Sequence, residues 1–323
     1  MVLSYSTRGF GTSGGLIDTA GPLDMADLSN VIDYLIANFD VDPNAIGTAG
    51  ISYGSGISLL GAAHDPRIRA VVAMSTWGSL TEALYGQETP RLIWGELLTL
   101  SSGLTGNPDP IIRDTWNKVL NREDMESVYA WTGIRSPLNY VNDINANGTA
   151  VYISQNWGDN LFQPNSVLDL FSQLTVEKHI DLQPGTHAGA EIGGLLGGGD
   201  THVLNNVHRW FAEHLKGESG AMENQKPVNM KVKFTSGYQQ YDAFPVPEAY
   251  EQTFYLQPRN LFSNGRLSDS PFQSWRAQDN SINSLFDTVA TTQVPLLSQI
   301  LEQLDVPVLA NMAHVARPHG IEF

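Results

Sequence analysis

The sequence predicts an α/β fold, a mainly parallel sheet with helices packed on its faces, and three observations carry that prediction. Gly50-Ile51-Ser52-Tyr53-Gly54 joins a short apolar run to a helical pattern of small residues. Asp65-Pro66-Arg67 then breaks the helix, and residues 68–75 follow as a largely apolar run with the length of a buried strand. From residue 150 onward the alternation resumes, with strands expected at 150–154 and 178–182 and helices at 166–174 and 203–215.

Taken in order, residues 2–6 have the alternation of a strand and enter the glycine-rich loop Thr7-Arg8-Gly9-Phe10-Gly11-Thr12-Ser13-Gly14-Gly15. A dinucleotide fingerprint would need a helix starting directly at those glycines, and Gly21-Pro22 intervenes instead. Residues 24–38 carry apolar side chains at Met25, Leu28, Val31, Ile32, Leu35 and Ile36, the spacing of a helix with one face on a sheet. Asp24 and Asp27 fall in its first turn, where carboxylates favour the positive end of the helix dipole. Asp40-Val41-Asp42-Pro43-Asn44 is a turn, and residues 45–51 are the strand that reaches Ser52. Between residues 77 and 147 the pattern becomes helical and rich in Trp, Leu, Asn and Gly, which predicts a helical cap inserted between strands. Caps of this kind exclude water and shape a pocket.

Composition narrows the function classes. The chain has 323 residues, 41% hydrophobic and 16% charged, enough for one large domain and part of a second. Its net charge of -16 lacks the basic footprint of a nucleic-acid binder. The absence of cysteine excludes disulfides, thiolate metal sites and a cysteine nucleophile. No window has the apolar length of a membrane helix and residues 1–8 have no signal-peptide pattern, so the expected location is cytoplasmic, with no membrane partner.

Glycine two residues either side of Ser52 is the pattern of a nucleophile elbow, a sharp strand-to-helix turn that lifts the hydroxyl above the sheet. A serine hydroxyl needs an imidazole to take its proton and a carboxylate to orient that imidazole. Asp159, in the loop Asn156-Trp157-Gly158-Asp159-Asn160, and His187, in Pro184-Gly185-Thr186-His187-Ala188-Gly189, follow successive expected strands in the required order. His202, starting a helix after a glycine-rich loop, is the rival base, and Asp143 is the fallback acid. His64, His179, His208 and His214 fall within helices or a strand and read as packing or surface residues. The Tyr53 N–H is one expected oxyanion donor, and no His-Gly type loop supplies the second. Trp77, ending a strand beside the elbow, and Trp157, in the Asp159 loop, are the expected pocket residues. No cofactor is called for, and no His/Asp/Glu cluster has metal-ligand spacing.

With Tyr5-Ser6-Thr7-Arg8-Gly9-Phe10-Gly11, the Ser52 elbow, Ala62-Ala63-His64-Asp65-Pro66-Arg67, Trp157-Gly158-Asp159 and the His187 loop in view, the chain resembles the X-Pro dipeptidyl-peptidase and cocaine-esterase-like (CocE/NonD) group of α/β-hydrolases over residues 1–217. That resemblance implies a serine hydrolase domain at 1–217 with its cap at about 77–147. It also implies a partial jelly roll at 218–323, entered by strands at 228–235 and 251–256, although 289–309 reads as partly helical. Three further strands, and a tyrosine giving the second oxyanion donor, are expected to precede residue 1, so the sheet is expected to be shortened at its N-terminal side. A second copy covering that sheet edge is the expected oligomer.

The leading expectation is hydrolysis of a small-molecule carboxylic ester through an acyl-enzyme. One alternative is X-Pro dipeptidyl-peptidase or amidase activity, with Glu82, Glu88 or Asp109 receiving a free amino terminus. Another is a hydrolase-fold binding protein without activity.

Overall fold

The computed structural model describes residues 1–197, 201–258 and 265–271. They fall in two compact units, residues 1–245 and residues 246 onward.

The first unit is built on six strands: β1 (Ile46–Ile51), β2 (Ile68–Met74), β3 (Ala150–Asn156), β4 (Lys178–Gln183), β5 (Val228–Met230) and β6 (Gln239–Tyr241). They lie side by side in sequence order; β1 to β5 are parallel and β6 runs antiparallel to β5. Helices α1 (Pro22–Asn38), α2 (Tyr53–His64), α7 (Val141–Asn147) and α8 (Pro164–Gln173) supply one apolar layer, where Leu28, Ile32, Leu59, Ile144 and Phe171 join one core cluster with Val71, Ala73, Val151 and Ile153 of the sheet. Helix α10 (His202–Lys216) covers the other face, placing Val203 and Trp210 with Ala70, Val72, Met74 and Tyr152. Neighbouring residues of β2 and β3 therefore point into different cores, which explains the apolar runs Ala70–Met74 and Ala150–Ile153 within them.

Residues 77–147, where the cap is expected, carry α3 (Leu80–Tyr85), α4 (Leu92–Thr105), α5 (Pro110–Asn121) and α6 (Met125–Gly133), with short 3-10 turns at Gly86–Glu88 and Pro137–Tyr140, before α7 returns to the sheet. The α4–α5 connection is laced to the N-terminal glycine loop. Asn107 N–H donates to the Gly9 carbonyl at 2.7 Å, and Ile17 N–H donates to the Asn107 carbonyl at 2.9 Å.

Three expectations change. Residues 2–6 form no strand: Val2 is 95% exposed, and although Tyr5 packs against the core, the segment has no strand beside it among the described residues to complete a ladder. The strand beginning at Val228 joins the main sheet in parallel register with β4 rather than opening a jelly roll, because Val228 is fully buried there and Asn229 donates to Asp181 at 3.0 Å. The first unit accordingly continues past residue 217, to Pro245. In the second unit β7 (Tyr255–Gln257) pairs antiparallel with β8 (Arg266–Ser268); the segment 289–309 and most of the expected jelly roll lie outside the described residues.

Candidate active site

Ser52 stands between β1 and α2 with φ 55° and ψ -116°, a backbone that a non-glycine residue rarely adopts. The turn is held by Ser52 N–H donating to the Met74 carbonyl at 2.9 Å and by Ser55 and Gly56 N–H groups donating to the Ser52 carbonyl. Gly50 is required by close approach: a Cβ there would lie 2.2 Å from the Gly54 carbonyl carbon. A Cβ on Gly54 itself would meet nothing, so only one of the flanking glycines is demanded by space.

The structure brings Ser52, His187 and Asp159 together. Asp159 is a carboxylate acceptor, so His187 Nδ1–H donates to its Oδ2 at 2.8 Å, which leaves Nε2 to accept from Ser52 Oγ at 2.8 Å. Asp159 is 2% exposed, and its Oδ1 accepts from the Leu161 and Phe162 N–H groups at 3.0 and 2.8 Å. The Phe162 ring meets the His187 ring edge-on with centroids 5.1 Å apart.

Both loops are fixed from behind by a polar cluster that the sequence does not reveal. Helix α9 (Gly189–Leu195) starts two residues after His187, and its Glu191 is fully buried. Glu191 accepts from Ser154 Oγ at 2.6 Å and from Asn156 Nδ2 at 2.9 Å. Ser75 Oγ accepts from the Ala188 N–H at 2.9 Å and from Asn156 Nδ2 at 2.9 Å. Burial raises the Glu191 pKa, against the lowering effect of these hydrogen bonds.

Tyr53 opens α2, so its N–H has no intrahelical acceptor. Its hydroxyl donates to Asp24 Oδ2 at 2.6 Å. Asp24, expected as a helix-dipole residue, is 1% exposed. Burial pushes its carboxyl pKa up to about 6, although hydrogen bonds from Tyr53 and the Ala20 amide pull the other way.

A cavity of about 260 Å³ opens between Ser52 and the cap. Trp77, Trp116, Trp131, Phe162, Leu98 and Val128 are among its walls, and none of its lining residues is Asp, Glu, Lys or Arg. Trp77 is 2% exposed, with its indole N–H donating to the Arg135 carbonyl at 2.8 Å. Trp157 does not line this cavity and is 39% exposed. Its N–H donates to the Gln183 carbonyl at 2.8 Å, in the turn that follows β3. Glu82, Glu88 and Asp109 are also outside the lining; Asp109 caps α5 by accepting from the Ile111 N–H.

The rivals lie elsewhere. His202 Nε2 is 3.4 Å from Asp181 Oδ1, in a buried network with Tyr152, His179, Asn206 and Asn229 on the α10 side of the sheet. Asp143 is exposed in the first turn of α7. Among the described residues no group of three or more His, Asp or Glu side chains could hold a metal ion, and no helix is long and apolar enough to cross a membrane.

Sheet topology and the strand-to-helix serine are those of serine hydrolases with the α/β-hydrolase fold. The family described as X-Pro dipeptidyl-peptidase (S15 family) matches residues 1–189, and the chain belongs to it. Over 125 residues the chain is 26% identical to a Mycobacterium bovis protein whose name describes a serine esterase, an alignment covering 38% of this chain and 20% of the relative. A CocE/NonD family hydrolase from Staphylococcus aureus superposes with a TM-score of 0.62 at 18% identity, over 83% of this chain and 46% of the other. A second structure of that hydrolase gives a TM-score of 0.59 at 19% identity, over 78% and 44%. The chain thus spans less than half the length of that solved relative, and the curated alignment a fifth of the mycobacterial one.

Proposed function

We propose that the protein hydrolyses carboxylic esters through Ser52, His187 and Asp159. Ser52 Oγ bonds to the acyl carbon as its proton passes to His187 Nε2, and the carbonyl electron pair moves onto the oxygen, facing the Tyr53 N–H. Collapse of that intermediate expels the alcohol, which takes the proton from His187, and leaves an acyl-enzyme. Water, deprotonated by His187, adds to the acyl carbon in the second half, and the carboxylic acid departs as Ser52 regains its proton. Asp159 holds the imidazole in the tautomer that both halves need and stabilises the imidazolium that forms.

The observation that carries the ester reading is the uncharged lining of the cavity at Ser52. Binding a free amino terminus in such a place would leave a desolvated ammonium group without a counter-charge, at a cost of several kcal/mol. The cavity hydroxyls of Thr99, Ser102, Thr105 and Thr132, whose protons go to carbonyls of their own helices, could accept from an ammonium group but carry no negative charge to offset it. Family membership favours the second reading, release of X-Pro dipeptides. Parallel assays of p-nitrophenyl butyrate and an X-Pro p-nitroanilide separate the two: ester turnover is expected to exceed anilide turnover, and faster anilide turnover with a low KM would reverse the assignment.

A further inference from the structure

The amphipathicity of helix α4 is reversed for a helix on a protein surface. Ile93, Leu97, Leu100 and Leu104, at the i, i+4, i+7, i+11 spacing of one helical face, are each between 51% and 81% exposed. The opposite face, with Gly95, Leu98, Thr99 and Ser102, lines the Ser52 cavity. Gly95 is seated against Trp116, where a Cβ would come within 2.2 Å of the ring, and the Thr99 and Ser102 hydroxyls donate to carbonyls of α4 itself. Glu96, the one charged residue of the helix, accepts from Trp116 Nε1 at 2.7 Å and pairs with Arg113 at 3.4 Å. Of the aliphatic residues of α4 only Leu98 lines the cavity, and the others are exposed to solvent.

Two further observations connect this surface to the site. The end of α4 and the start of α5 enclose a groove of about 340 Å³, with Leu100, Leu104, Pro108 and Pro110 among its walls. Thr99, Ser102 and Ile112 line both this groove and the Ser52 cavity, so a single layer of side chains separates the two. Nearer the start of α4, the Trp94 ring meets His187 edge-on with centroids 6.1 Å apart, and α9, which begins two residues after His187, exposes Ile192, Leu195 and Leu196. Exposed apolar side chains gathered on the elements that flank a site mark an interaction surface.

We propose that the outer face of α4 docks on the surface of an uncharged lipid aggregate and so delivers water-insoluble esters to the Ser52 cavity. The choice of a lipid occupant rests on the ester reading of that cavity. Charge selects it as well. The stripe carries no charged residue, the groove adds one acid and one base, Asp109 and Arg113, and the net charge of -16 opposes both an anionic bilayer and a second copy of the chain. A neutral hydrocarbon surface meets no such repulsion and covers the aliphatic side chains. At 14 residues α4 is too short to cross a bilayer, and docking requires only that it lie along one with its apolar face down. The expectation of no membrane partner, drawn from the absence of a spanning segment, concerns a different arrangement.

The test is co-sedimentation with phosphatidylcholine vesicles, with sedimentation velocity, thermal unfolding and ester turnover on the same samples. Wild type and Ser52→Ala are expected to pellet with the vesicles alike, since docking does not need the nucleophile. Ile93→Gln/Leu97→Gln removes two outer side chains that line neither the cavity nor the groove. It should lower the partition coefficient at least about tenfold and slow hydrolysis of a tributyrin emulsion, with thermal unfolding and p-nitrophenyl acetate turnover unchanged. Ile93→Met/Leu97→Met keeps the face apolar and should bind as wild type does. A wild type that stays in the supernatant, binding that survives Ile93→Gln/Leu97→Gln, or binding that requires phosphatidylglycerol in the vesicles overturns the docking surface. A dimer that those substitutions dissolve, with no vesicle binding, assigns the face to a second copy and overturns it too. Vesicle binding by a protein that neither hydrolyses esters nor labels at Ser52 with a fluorophosphonate overturns the ester reading and the delivery of esters, but not the docking surface; ester turnover without vesicle binding removes this inference alone.

Discussion

Glu191 Oε1 accepts a 2.6 Å hydrogen bond from Ser154 Oγ, fastening the first turn after His187 to the end of β3. With its other oxygen on Asn156, this carboxyl ties the His187 loop to the strand that leads to Asp159. Glu191→Gln retains an acceptor for Ser154 but turns an amide donor toward Asn156 Nδ2, and should lose less activity than Glu191→Leu. Glu191→Leu leaves the Ser154 and Asn156 donors buried without it, at about 1–3 kcal/mol per stranded group. A lower melting temperature and a loss concentrated in kcat are expected, measured by thermal unfolding and p-nitrophenyl butyrate turnover.

Asp159→Asn keeps the shape of the loop but presents an amide where His187 needs an acceptor. Flipping the imidazole tautomer in this way should lower kcat/KM by about 10⁴-fold. Circular dichroism should be unchanged. A loss of less than about tenfold would transfer the orienting role to another group.

Burial pushes the Asp24 carboxyl up to about 6 in the folded chain, from the ordinary aspartate value of 3.8. Its folded pKa is raised, so between those values the native state holds more protons than the unfolded chain, and the contribution of Asp24 to stability falls as pH rises. The shift corresponds to roughly 2–3 kcal/mol, present below pH 4 and lost through pH 6. Denaturation midpoints of wild type and Asp24→Asn, compared from pH 4 to 7, should show the variant gaining relative stability with pH. Parallel curves would mean that Asp24 is ionised at no cost in the fold.

Much of the site is legible from local pattern because its members lie on short loops after strands. Ser52 is marked by its glycines and by the change from strand to helix pattern, and Asp159 and His187 each follow an apolar run by a few residues. Glu191 and Asp24 carry no such mark. An isolated carboxylate in a glycine-rich segment or a first helical turn reads as surface, and only the close approach of β3 or of Tyr53 makes it interior. Trp157 misleads for a related reason, since its place in the Asp159 loop does not show that it is exposed in the turn after β3, outside the cavity lining. Residues 2–6 show that a strand pattern requires a partner, and Val228 that a short apolar run joins whichever sheet edge can bury it.

Leu98, on α4, lines the cavity while remaining 41% exposed, so a larger side chain can enter from the solvent side without overpacking the sheet core. Leu98→Trp should lower kcat/KM for p-nitrophenyl octanoate at least tenfold while leaving the acetate ester near wild type, since a lost methylene contact in an apolar pocket is worth about 1–3 kcal/mol. Equal effects on both esters would separate this cavity from the acyl group.

Reaction with a fluorophosphonate, followed by mass spectrometry of wild type, Ser52→Ala and His187→Ala, with p-nitrophenyl acetate and butyrate turnover on the same samples, is the most direct test of Ser52 as an activated nucleophile. Wild type should label once, at Ser52, and turn over both esters; Ser52→Ala should do neither, and His187→Ala should lose several orders of magnitude in both. A folded wild-type protein that leaves Ser52 unmodified, or a Ser52→Ala variant that still hydrolyses esters at the wild-type rate, would contradict it.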